Sequence, residues 1–78
     1  MNKYRALLVQ HLEQAERAVT EGERHLAEQE ERLAELWRDG HDVTQAESLL
    51  KVFRETQAQH IAHRDLLLKE LAQRELDP

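Results

Sequence analysis

Five histidines in a chain of 78 residues are the side chains best suited to chemistry. His60 and His63 stand three apart, so on a helix they share a face. His25 lies one turn from Gly22 and, in a helical hairpin, would approach His60 from the other strand of the pair. With Glu21 or Glu28 nearby, imidazole and carboxylate suit zinc or nickel, which makes His25, His60 and His63 the candidate metal ligands. Arg24 and Arg64 place positive charge beside any such ion, and no His-Glu-x-x-His or paired Cys/His spacing occurs. Histidines flanking a helical seam are more often hydrogen-bonded and partly buried than ligated. The expectation is therefore no metal and no cofactor. A milder reading is an interface that responds to pH, because histidine titrates near neutrality.

Catalysis has little to work with. Ser48 is the one serine, and no base is poised beside it. Carboxylates are plentiful but fall on charged helix faces, no glycine-rich loop is available for phosphate, and two helices offer little concavity for a small molecule. The chain is expected not to be an enzyme. Cysteine is absent, which excludes thiolate chemistry and fits a reducing compartment. The short apolar run Ala6-Leu7-Leu8-Val9 is closed by Glu13, too short for a secretory leader or a membrane span. A cytoplasmic protein with no membrane partner is the expectation. A net charge of −5 gives no basic footprint for nucleic acid, so an RNA or DNA partner is not expected.

The elements that would position these groups are two long helices. Charged residues make up 35% of the chain and aromatics 4%, with two glycines and a single, terminal proline, a helix-rich profile. The pattern predicts an all-α fold: an antiparallel two-helix hairpin, coiled-coil-like, with a helix over 3–38, a loop over 39–43 and a helix over 44–75. In the first helix Leu12, Val19, Leu26 and Leu33 recur every seven residues, with Leu8, Ala15, Gly22, Gln29 and Leu36 interleaved. In the second the seam reads Ala46, Leu50, Phe53, Gln57, His60, Arg64, Leu67, Leu71. Gly40 suits the position after a helix's last turn, and Thr44 with Glu47 forms a capping-box pattern, with Asp42 and Gln45 as a competing frame. A loop centred between the helices would make facing residue numbers add to about 83, setting Leu26 against Gln57, Gly22 against Ile61 and Phe53 near Gln29. Five acid-first pairs, such as Glu13–Arg17 and Glu47–Lys51, have the i,i+4 spacing that supports a solvated helix face.

One narrow seam interrupted by Gln29, Gln57, His60 and Arg64 is a poor core. Burying a Leu or Phe contributes about 1.5–3 kcal/mol, whereas ordering each backbone residue costs about 1–2 kcal/mol. Apolar residues also flank the seam, and Leu66 to Leu68 spread around most of a helical circumference. The expectation is that two hairpins combine as a homodimeric four-helix bundle. Its packing residues would be Leu7, Leu8, Leu12, Val19, Leu26, Leu33, Trp37, Leu50, Phe53, Ile61, Leu67, Leu68 and Leu71. Trp37 is expected to cover the loop end against Val43 and Leu49 or Leu50. Gly22 is read as a site of close approach by His60 or Ile61, and the seam glutamines as residues that fix register.

The strings Gly22-Glu23-Arg24-His25, Asp39-Gly40-His41-Asp42-Val43, Leu49-Leu50-x-x-Phe53 and His60-x-x-His63-Arg64-Asp65 resemble short helical-hairpin proteins of alphaproteobacterial genomes. The resemblance spans about residues 11 to 71. It implies a bacterial two-helix protein and carries over no activity and no site residue. The functional expectation is a structural, protein-binding module that pairs with itself and with another helical protein as a further partner. The competing expectations are a small dimeric RNA-binding regulator using Arg17, Arg24, Lys51, Arg54 and Arg64, and a histidine-based metal- or pH-responsive module.

Overall fold

The computed structural model describes residues 3–76, which form two helices, α1 (Lys3–Arg38) and α2 (Thr44–Leu76). They lie antiparallel in a rod of 62 × 14 × 13 Å. Both spans are free of proline and dominated by Leu, Glu, Gln, Arg and Ala, all good helix formers. At about 1.5 Å per residue, the two helices are roughly 50–54 Å long and account for most of the rod's length.

On α1 the buried residues are Leu8, Leu12, Ala15 and Val19, spaced four, three and four apart, which is one face of a helix. Leu8, Leu12 and Ala15 pack with Leu67 of α2, and Leu71 adds to that cluster. Leu50 and Val43 are buried toward the loop end. The most enclosed apolar side chains among the described residues are Leu50, at 3% exposure, and Val19, at 4%.

The reversal between the helices has a specific structure. Gly40 has φ 78°, the left-handed conformation that glycine adopts without a Cβ penalty. The His41 amide donates to the Leu36 carbonyl at 2.9 Å and the Gly40 amide to the Trp37 carbonyl at 3.1 Å. Together these are a Schellman motif, which satisfies two of the orphan carbonyls of α1. The start of α2 differs from the capping box expected at Thr44. The Glu47 amide donates to the Val43 carbonyl at 2.8 Å, leaving no role for the Thr44 hydroxyl on that amide. Instead Asp42 Oδ1 accepts from the Thr44 amide at 2.9 Å and from its hydroxyl at 2.7 Å. An Asx turn wins here because the carboxylate reaches the backbone two residues on without bending the chain further.

This turn sets the register. Gln57 faces Gly22, the His25 ring meets Phe53, and Leu67 packs in the Leu12–Ala15 cluster. Facing residue numbers thus add to about 79, one helical turn away from the expected register. Gly22 is opposite Gln57 rather than Ile61, Leu26 loses Gln57 as its partner, and Phe53 meets His25 rather than Gln29. The cause is the Schellman motif, which reverses the chain at Asp39–Gly40 rather than midway through the loop. His41 to Val43 therefore run back beside the last turn of α1.

The ends are tied by polar contacts. At the open end Tyr4 donates to Glu70 at 3.1 Å, the Arg74 guanidinium lies 3.7 Å from the Tyr4 ring centroid, and Arg5 pairs with Glu75 at 2.7 Å. The remaining ion pairs among the described residues are Arg54–Glu30, Arg24–Glu28 and Arg64–Asp65. The five acid-first i,i+4 pairs are not closed, as exposed pairs gain too little to offset side-chain entropy.

The Asp42 turn makes stability depend on pH. The Thr44 amide and hydroxyl hold the Asp42 carboxyl below its ordinary value. A depressed carboxylate stabilises the fold above its unfolded value, and that contribution is lost as pH falls through the lowered folded value. Asp42→Asn should remove this acid-side component. Thermal melts of the two proteins should differ near neutral pH and converge at the acid limit; a constant offset across the series would rule the linkage out.

Candidate functional site

The centre of the hairpin contains one buried polar side chain, Gln57, which is 5% exposed. Its Nε2 donates to the Val19 carbonyl at 2.8 Å. Its Oε1 is buried without a hydrogen-bond partner, and it sits where Gly22 would carry a Cβ. The Gly22 Cα hydrogen therefore points at that oxygen, the arrangement of a weak C–H···O contact. The expected close approach at Gly22 is present, but the residue that uses it is Gln57. The heptad pattern marked both residues as irregular without showing that they meet.

Beside this contact runs a shallow groove lined by Ala18, Glu21, Gly22, His25, Phe53, Thr56, Gln57 and His60. His25 packs edge-on to Phe53, with ring centroids 6.1 Å apart at 64°, a favourable aromatic geometry. His25 and His60 are thus brought to one groove, whereas His63 is exposed one turn further along α2. Among the described residues, no three His, Asp or Glu side chains converge as a metal-binding set.

The hairpin's two faces differ. On the face bearing that groove, α2 presents Leu49, Val52, Thr56, Gln59, His63 and Leu66, at spacings of three and four. Leu49 is 46%, Val52 54% and Leu66 63% exposed, and no residue of this stripe carries a formal charge. The opposite flank of α2 reads Glu47, Lys51, Arg54, Ala58, Ile61, Asp65, Leu68, with an ion pair from Arg54 to Glu30 of α1.

Of the thirteen residues expected to pack, Leu8, Leu12, Val19, Leu50 and Leu67 are buried inside the hairpin, and Leu26, Leu33, Phe53 and Leu71 are half-buried. Leu7, Trp37, Ile61 and Leu68 are exposed. Trp37, at 74% exposure, does not close the loop end. It lies on the charged face beside Leu33, Ala34 and Val43, a surface that includes neither Leu49 nor Leu50. Of the cations considered for RNA, Arg24, Arg54 and Arg64 each approach a carboxylate. No helix among the described residues is long and apolar enough to cross a membrane. No protein-family model matches the chain, and no curated protein or solved structure matches it.

Proposed function

We propose that the hairpin is a non-enzymatic protein-interaction module that works as a homodimer, two copies forming a four-helix bundle. Surface area carries this reading. The chain exposes 6269 Å², whereas a globular monomer of its 9.2 kDa mass would expose about 4,900 Å². The excess, roughly 1,300 Å², is of the size each subunit buries in an obligate homodimer. Exposed Leu49, Val52 and Leu66 supply apolar surface for that area. A cytoplasmic bacterial setting, and kinship with the alphaproteobacterial hairpin proteins that the sequence strings resemble, belong to the same proposal.

Sedimentation equilibrium at micromolar concentration is the direct test. A mass near twice 9.2 kDa is the expected result. A single chain that stays monomeric and melts cooperatively under those conditions would overturn the proposal.

A further inference from the structure

From the two faces of α2 we infer that the second copy docks on the uncharged stripe, with the two α2 helices packed antiparallel about a twofold axis between Thr56 and Gln59. This rests on the homodimer reading above and specifies its contact. The apolar residues of α1, apart from exposed Leu7 and Trp37, concentrate on the stripe turned toward α2, whereas those of α2 are spread around its circumference. A helix that is apolar on more than one side is covered on more than one side. The second covered side is set by charge: in a chain with 35% charged residues, the positions from Leu49 to Leu66 on this flank carry none, while the other flank carries Glu47, Lys51, Arg54 and Asp65. The stripe is about 25 Å long at 1.5 Å per residue, room for six knobs-into-holes positions.

Its order matches itself when reversed. In an antiparallel pair Leu49 meets the partner's Leu66, Val52 meets the partner's His63, and Thr56 meets the partner's Gln59. Leucines thus close both ends and polar groups share the centre, an isologous contact in which every pairing occurs twice. The alternating spacing of three and four is the one that forms layers between antiparallel helices. A parallel, in-register pair would instead set Lys69 near the partner's Arg74, like charges at the margin of the stripe. The antiparallel pair places Glu55 near Ala62 and Lys69 near Ser48.

The absence of cysteine permits a clean cross-linking test. A variant carrying Leu49→Cys and Leu66→Cys should form a disulfide-linked dimer on mild oxidation, while either substitution alone should not. The two positions are too far apart along α2 to bridge within one chain. In parallel, Val52→Glu with Leu66→Glu should weaken the dimer at least 100-fold by sedimentation. Cross-linking by Leu66→Cys alone, or a dimer unmoved by the glutamates, would overturn this contact and leave the homodimer standing. A wild-type monomer would sink both. Should the glutamate variant lose its helicity, the cysteine pattern still decides.

Discussion

Leu12→Ala should destabilise the protein by about 2–5 kcal/mol, the range for removing a buried leucine and leaving a cavity. Leu12 sits in the one cluster where four buried residues touch, with Leu8, Ala15 and Leu67. Ala15 is already small, so no bulky neighbour lies ready to collapse into the space. Single domains of this size hold about 5–15 kcal/mol in total, so the loss is a large fraction of the fold. A melting temperature lower by about 10 °C or more is expected at fixed chain concentration. Gln14→Ala, exposed on the same helix, is the matched control and should stay within about 0.5 kcal/mol of wild type. If the two variants melt together, the apolar seam is not what holds the helices in place.

The helices and their seam were legible because heptad spacing repeats through Leu12, Val19, Leu26 and Leu33, and because so few residues interrupt a helix. Gly40 was legible as the reversal, since only a positive φ ends α1 in this way. The register was not. It depends on where within five loop residues the chain turns, and composition does not distinguish a turn at Gly40 from one at His41. The competition between Asp42 and Thr44 for the helix start was visible, but its outcome rests on a hydrogen bond of 2.7 Å between the two residues themselves. The candidate surface was half legible. Apolar groups flanking the seam were readable, and only the placement of α1 shows that Leu49, Val52 and Leu66 share one uncharged side. Trp37 misled for the converse reason: its size suggested a lid, while the side chain lies open beside Val43 at 74% exposure.

The centre of the hairpin makes the sharpest prediction, because two effects of opposite sign meet at Gly22. Replacing glycine by alanine inside a helix ordinarily gains about 1 kcal/mol. Here the new Cβ would overlap Gln57 Oε1 and lie 2.6 Å from Cδ, so the carboxamide must leave. Its departure breaks the bond to the Val19 carbonyl, worth about 0.5–1.5 kcal/mol, and opens the seam where it was filled. Gly22→Ala should therefore forfeit the ordinary helical gain, leaving stability unchanged or lower by up to about 1 kcal/mol, because the lost hydrogen bond and lost packing offset it. In a Gln57→Ala background the obstacle is gone, and the same substitution should raise stability by about 1 kcal/mol. A double-mutant cycle would read this difference as a coupling of about 1–2 kcal/mol, above what unconnected sites show. A rise in melting temperature on Gly22→Ala in the wild-type background would show that Gln57 does not occupy the space.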